Sequence, residues 1–310
     1  MFDGIDVVTL PAAGIDELLA LYTEGFGFTV TCDRSVTDPV RQRIWALPLP
    51  PRREVLLGKP GSQGGWIRLV DVPDLPRARP AGRPDTDGSY ALDFYVRDAD
   101  RVEARIGALG WGFRSEAQHY PLPGMQVGVR ERMLQQSRSG LLHAIVEYRP
   151  TQTRCVLSEA PDEDSSEVVA AVFFTRHLAE ATAFAKQVLG ARRYFSGRFG
   201  GSAVERMLGL AAGEGFEAAL FRGPLSRNAR LEFAATMAPA PGTGCDIAAP
   251  DPVPRVVAGC AVDDLDALAK TLADGAHGAS TGVLGLADGS RRVGLVSHYG
   301  ARFEFWERAG

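Results

Sequence analysis

Two segments of this 310-residue chain repeat one charged pattern on an apolar background: Ala229, Arg230, Leu231, Glu232, Phe233 and Ala301, Arg302, Phe303, Glu304, Phe305. Side chains alternate faces along an extended strand. Arg230 and Glu232 therefore share a face, as do Arg302, Glu304 and Trp306, while Leu231, Phe233, Phe303 and Phe305 turn away. Two carboxylates brought together on an apolar wall split their pKa values, so that one holds a proton while the other is ionised. Such a pair can move a proton on a carbonyl or phenol without a metal. Glu304 is the favoured base, because Trp306 adds an aromatic wall beside it, and Glu232 is its partner. The competing reading is an ion-pair network in which Arg230 and Arg302 neutralise both acids and hold their pKa values low.

Other chemistry-bearing residues are scattered. The histidines, His119, His143, His177, His277 and His298, include no H-x-x-x-H or H-E-x-x-H pairing, and Cys32, Cys155, Cys245 and Cys260 form no C-x-x-C pair and read as reduced thiols. Asp93 is the single charge in the run YALDFYV and shares a face with Ala91 and Tyr95. Asp93 and Tyr95 can orient a ligand there, or a nearby arginine satisfies the carboxylate. His143 should face away from Ala144 as a hydrogen-bonded, half-buried histidine. His298 falls in a turn before the strand of Glu304, either as an outer proton carrier or as a solvated turn residue. The segment HYPLPGMQVGVRER, with His119, Tyr120, Met125 and Arg130, can lid a pocket or serve as a plain edge loop.

The elements that must position these residues are legible from pattern. A chain of this length exceeds the usual domain of roughly 150 residues by a factor of two, so two cores are expected. Apolar residues make up 45% and charged residues 23%, with a net charge of −4 and no basic stripe, which argues against a nucleic-acid partner. No stretch is apolar over the ~18 residues of a membrane span. The start, MFDGIDVVTL, lacks signal-peptide features, so a cytoplasmic address is expected.

Loops rich in Pro, Gly, Asp and Ser at 74–89, 151–167 and 238–254 divide the chain into four pieces. Each opens with an apolar strand, a polar turn and an amphipathic helix, as in YALDFYV followed by DADRVEARIGALG. Gly110, Gly190 and Gly275 suit left-handed helix caps. Strand-like runs follow, in the third piece ARRYFSGRF, ERMLGLA, FEAALFR and ARLEFAAT. Matching Val7, Ala91, Ala170 and Val257 gives intervals of 84, 79 and 87 residues. A βαβββ unit repeated four times is the consequence. A mixed or antiparallel sheet fits this element order better than a parallel βαβ array.

At this point the chain resembles the vicinal oxygen chelate superfamily of glyoxalases, bleomycin-resistance proteins and extradiol dioxygenases, over nearly its whole length. The resemblance implies an α+β fold in which four βαβββ modules pair into two curved mixed sheets, each a cup with helices outside. It implies a domain at 1–150 (modules 1–73 and 89–150), an acidic linker at 151–167, and a domain at 168–310 (modules 168–237 and 255–310). The family's first-strand ligand stands seven residues before an Asp; counting back from Gly14, Asp98, His177 and Asp264 lands on Val7, Ala91, Ala170 and Val257, none of which binds a metal. The fourth-strand Glu, four residues after a turn Gly or Asn, is matched by Glu304 after Gly300 and by Glu232 after Asn228. In the N-terminal half that place holds Ala144, and GGWIRLVDV offers only Arg68 or a neighbour. The C-terminal cup is thus expected to keep two carboxylates opposite Ala170, Val172, Phe174 and Val257, and the N-terminal cup none.

The expected function is a metal-independent lyase, isomerase or cyclase acting on a small aromatic or carbonyl compound, with Glu304 and Glu232 catalytic and with Arg230, Arg302, Trp306, Phe174, Asp93 and Tyr95 contacting the ligand. The alternatives are a non-catalytic, resistance-type binding protein and a divergent metal-dependent ring-cleaving dioxygenase. No cofactor is expected; a divalent metal held by Glu232 and Glu304 is the alternative. The partner is a small molecule, and the chain is expected as a monomer or homodimer.

Overall fold

A computed structural model of the chain describes residues 2–76, 82–84, 86–124, 127–135, 140–149, 155–224, 229–237 and 254–308. The first module runs β1 (Val7–Ala12), α1 (Asp16–Ala20) continued by a π-helical turn (Leu21–Gly25), β2 (Thr29–Ser35), α2 (Val40–Ile44), β3 (Arg53–Gly58) and β4 (Trp66–Asp71). The second has β5 (Gly88–Val96), α3 (Ala99–Ala108), β6 (Gln118–Pro121), β7 (Gly128–Gln135) and β8 (Leu142–Arg149). The third has β9 (Ser165–Phe174), α4 (Leu178–Gln187), β10 (Arg192–Gly200), α5 (Ser202–Leu208), β11 (Gly215–Arg222) and β12 (Arg230–Met237). The fourth has β13 (Val257–Val262), α6 (Leu265–Leu272), β14 (Gly278–Gly285), β15 (Arg291–Ser297) and β16 (Arg302–Glu307). Strand β9 begins inside the stretch 151–167 expected to be linker.

The four-fold order of strand, helix and three strands holds, and its punctuation has local causes. Asp98 and Asp264 cap α3 and α6 by accepting from the backbone N–H of Arg101 and Ala267. Gly110, Gly190 and Gly275 take positive φ where their helices end. Two helices were not anticipated. Helix α2 interrupts the first module, and α5 replaces the strand expected over ERMLGLA. There Val204, Met207 and Leu208, at helical spacing, bury one face, and Gly209 closes the helix at φ 68°.

Two eight-stranded sheets result, with orders β14-β15-β16-β13-β1-β4-β3-β2 and β10-β11-β12-β9-β5-β8-β7-β6. The first module thus joins the fourth through antiparallel β1 and β13, and the second joins the third through β5 and β9. This corrects the expected cups, in which neighbours within each half were paired. Connections 72–87, 150–164 and 238–256 are similar in length, so loop reach does not select a partner. Close approach does mark one junction: a Cβ on Gly259 of β13 would lie 2.6 Å from Val7 Cγ1 and 2.9 Å from the Trp306 ring.

The faces carrying Leu231, Phe233, Phe303 and Phe305 turn inward and pack with the helices in one core shared by both sheets. The Phe173 and Phe303 rings, one from each sheet, lie 6.2 Å apart. Each fully buried phenylalanine of this kind contributes on the order of 2 kcal/mol. His143 is fully buried in that core, not half-buried, and its Nε2 lies 2.6 Å from the Tyr22 hydroxyl. His298 is a turn residue whose Nε2 meets the Gly275 carbonyl at 3.1 Å. No helix among the described residues is long and apolar enough to cross a membrane. With their inner faces taken by the shared core, the sheets leave their opposite faces, the two cups, to be filled or left open.

Candidate functional site

The cup of the first sheet is filled by its own chain. Helix α2 lies so close on β15 that a Cβ on Gly294 would sit 2.4 Å from the Ile44 carbonyl oxygen. Ile44, Trp45 and Leu47 pack against Val70, Val257 and Leu286. The Trp45 indole N–H donates to Glu304 Oε2 at 3.0 Å, and the guanidiniums of Arg41 and Arg68 lie 5.6 and 5.3 Å from the indole centroid. Arg68 also donates to Glu304 Oε2 at 2.6 Å and to the Thr9 hydroxyl at 3.1 Å. Arg292 Nε is 3.3 Å from Glu304 Oε1, close enough for attraction but not aligned as a hydrogen bond. Burial opposes ionisation of Glu304, yet the two guanidiniums and the indole N–H outweigh it and hold the carboxyl below its ordinary range.

The cup of the second sheet is open inside, with a cavity of about 350 Å³. Strand register explains which side chains reach it. Asp93 on β5 and Arg230 on β12 both stand opposite Ala170 of β9, whereas Ala91 and Glu232 both stand opposite Val172. On the other flank, Tyr95 and Glu131 both stand opposite Val146 of β8. Small residues at the centre of these rows leave the space that the longer acids and tyrosines enter. Phe174, Phe199 and Phe216 form an aromatic wall, with the Phe199 and Phe216 rings stacked at 4.7 Å, and Val204, Met207 and Leu208 of α5 close one side. Helices α2 and α5 hold equivalent places in their modules; one ends in a tryptophan that plugs its cup, and the other stops at the edge of a void.

Among the described residues, three carboxylates face this cavity: Asp93, Glu131 and Glu232. Burial, reinforced by Glu131, pushes Glu232 up to about 8 against the pull of Arg230. Burial likewise raises Glu131 to about 7, although the Tyr120 hydroxyl donates to it. Asp93 is raised well above the carboxylate range by burial and then by the charges of Glu232 and Glu131. Arg230 hydrogen-bonds the Tyr95 hydroxyl and lies 5.2 and 5.8 Å from the ring centroids of Tyr95 and Tyr194. Tyr95 and Tyr148 meet edge-to-face at 5.0 Å. The arrangement can bind a flat apolar body, hydrogen-bond its polar group and exchange protons with it near neutral pH.

Of the residues proposed from sequence, Glu232, Arg230, Phe174, Asp93 and Tyr95 converge on this one cavity, although Asp93 and Tyr95 were assigned to a different cup from the other three. Glu304, Arg302 and Trp306 lie in the other sheet: Arg302 donates to the Ala46 carbonyl at 3.0 Å, and Trp306 lies 5.0 Å from the Arg292 guanidinium. Glu232 and Glu304 stand in different sheets, share no partner among the described residues and form no acid pair. The ion-pair reading describes Glu304, with Arg68 and Arg292 in place of Arg302. Asp93 has no arginine within ion-pair distance among the described residues. Tyr120 and Leu122 of the HYPLPG segment line the cavity, as a lid would; Met125 and Asn228 lie outside the described residues. Glu131, Tyr148 and Tyr194 were missed. Glu131 had a signal: it shares a face with apolar Val129 and Met133, whereas its neighbours Arg130 and Arg132 turn to Glu103 of α3 at 2.6 and 2.7 Å.

The metal that the family resemblance implies does not fit these donors. In the first cup the matched places hold Val7, Val257, an Arg68 guanidinium and a Glu304 already paired to it. In the second they hold Ala91, Ala144, Ala170 and Glu232. Among the described residues no group of three His, Cys, Asp or Glu is arranged to hold an ion. The alternative of one ion shared by Glu232 and Glu304 fails because they stand in different sheets.

No family model matches the sequence, and no curated protein matches it. Solved structures do. Glyoxalase I from Zea mays superposes over 98% of this chain and 92% of its own at a TM-score of 0.65 and 10% identity. A putative dioxygenase from Bacillus subtilis superposes over 100% of this chain and 86% of its own at a TM-score of 0.61 and 14% identity. At such identities the likeness is one of fold.

Proposed function

We propose that this chain, which carries the vicinal oxygen chelate fold, is a metal-independent acid–base enzyme of lyase, isomerase or cyclase type. Its substrate is a small aromatic or carbonyl compound taken into the cup between the second and third modules. The observation that carries the reading is the pair Glu131 and Glu232, buried on one aromatic cavity, neither in an ion pair with a described residue, titrating near 7 and 8. Between those values Glu131 is ionised and Glu232 still holds its proton. Glu131, oriented by the Tyr120 hydroxyl, takes a proton from the substrate; Glu232 supplies one to its polar group; Tyr95, fixed by Arg230, orients the ring. The reading moves the catalytic role expected for Glu304 to Glu131.

Binding without turnover is the second reading, favoured by the aromatic wall of Phe174, Phe199 and Phe216, which needs no acid to hold a ligand. Incorporation of solvent deuterium into bound aromatic ketones, followed by proton NMR, separates the two. Exchange in the wild type that is lost in Glu131→Gln with affinity retained supports catalysis. Tight binding with no exchange by the wild type sinks catalysis and leaves a binding protein.

A further inference from the structure

We infer that the ligand of this cup carries a protonated amine on its aromatic body, seated between Glu232 and Asp93. The inference rests on the reading that this cup is the ligand site. Glu232 is only 9% exposed, lines the cavity, and neither accepts a hydrogen bond nor forms an ion pair with any described residue. Buried carboxylates are ordinarily paired or hydrogen-bonded, so an acid aimed unpartnered into a void marks the place of a missing donor. Asp93 faces the same void and also has no hydrogen-bond or ion-pair partner among the described residues. Glu232 raises the cost of ionising Asp93, and Glu131 adds to both.

The cations of the wall do not fill this role. Arg230 is engaged by the Tyr95 hydroxyl and lies by Tyr194, and Arg222 is 4.9 Å from the Tyr194 centroid. Both are stacked on rings on one flank, and neither is within 4 Å of the Asp93 or Glu232 carboxylate oxygens. An ammonium has three donors and no acceptor, which matches acceptor-only carboxylates. Tyr95 and Tyr148, set edge-to-face, add ring surfaces that attract a cation. A carboxylate or phosphate ligand would meet three acids instead. An amine that enters charged displaces the Glu232 proton to solvent. One that enters neutral takes that proton and stays as ammonium. In either case Glu131 and Tyr120 remain for proton transfer at the neighbouring atom.

Three probes of one shape test the inference at pH 7: 1-naphthylmethylamine, 1-naphthalenemethanol and 1-naphthoate, titrated by naphthalene fluorescence and by calorimetry in phosphate and in Tris. The amine is expected to bind at least tenfold more tightly than the alcohol, and the acid more weakly than both. Amine binding alone should release protons, read as an enthalpy that differs between the buffers. Glu232→Gln, which keeps the side chain's shape, should bring amine and alcohol to within about threefold of each other. Asp93→Asn provides a second variant if the first does not fold. Alcohol or acid binding as tightly as the amine overturns the ligand class and leaves the cup as the site. If no naphthyl probe binds, the cup itself is wrong.

Discussion

Arg68 Nη1 lies 2.6 Å from Glu304 Oε2 across a cup whose fourth strands, β4 and β16, come from opposite ends of the sequence. The two residues stand at matched places in their modules, four positions after Gly64 and Gly300. One module supplies a guanidinium where the other supplies a carboxylate, so the pair ties the two chain ends together, and Trp45 seals it from water. Glu232 stands at the same module position as Glu304, yet it titrates in the opposite direction because burial and Glu131 raise it and no cation among the described residues is paired with it. Environment, not residue type, separates a structural acid from a reactive one.

Glu304→Gln removes the counter-charge of two largely buried guanidiniums, Arg68 and Arg292. Breaking a buried pair from one side is expected to cost about 3 kcal/mol, read from urea unfolding at pH 7. Adding Arg68→Met should recover part of the loss, since the stranded cation is then gone. Probe affinity in the second cup should not change. A loss below about 0.5 kcal/mol would show the network to be solvated and of little weight.

Trp45→Ala should hollow the first cup. Removing a fully buried indole costs about 4 kcal/mol through lost burial and the void left behind. Added indole should then raise the melting temperature of the variant and not of the wild type. A variant as stable as the wild type would mean that the cup collapses or floods without penalty.

The modules, their opening strands and the ends of their helices were legible because each depends on nearby residues: period-two and period-3.6 patterns, and glycines where the helices stop. Which modules share a sheet was not, since every connection is long enough to reach any partner and the close approach at Gly259 is visible only once Val7 and Trp306 are placed. That single topological fact reassigned the site. It carried Asp93 and Tyr95 to Glu232 and Arg230, and it took Glu304 away. Helix α5 was misread because its short apolar run, Val204, Met207 and Leu208, was interpreted among strands. The emptiness of one cup and the filling of the other follow from where Trp45 points, which no local pattern encodes.

The carboxylates of the second cup make stability depend on pH in a defined sense. Their pKa values are higher in the folded chain than in an unfolded one, near 4.5 for Glu. Their contribution is therefore fully present below about pH 4.5 and is lost as pH rises through 7 and 8. Glu232→Gln removes one such group, so the melting temperature of the variant relative to the wild type should climb from pH 5 to pH 9. A difference that is flat with pH would mean that Glu232 titrates normally.

His143 should behave in the opposite way. Burial lowers its pKa from 6.5 to about 3, so the imidazole stays neutral in the folded chain and no titration should appear in its NMR signals down to pH 4. A depressed pKa means stability that is present above pH 6.5 and is lost as pH falls through that value toward 3, because only the unfolded chain can take up the proton. His143→Phe keeps the stacking on Phe94, whose ring lies 5.4 Å away, but strands the Tyr22 hydroxyl, at a cost of about 2 kcal/mol. Urea unfolding should find that deficit at pH 7 and a smaller one at pH 4.5, where the wild type has lost part of its own stability and the phenylalanine variant has not. An equal deficit at both values would place the charged imidazole in the folded core and refute the assignment.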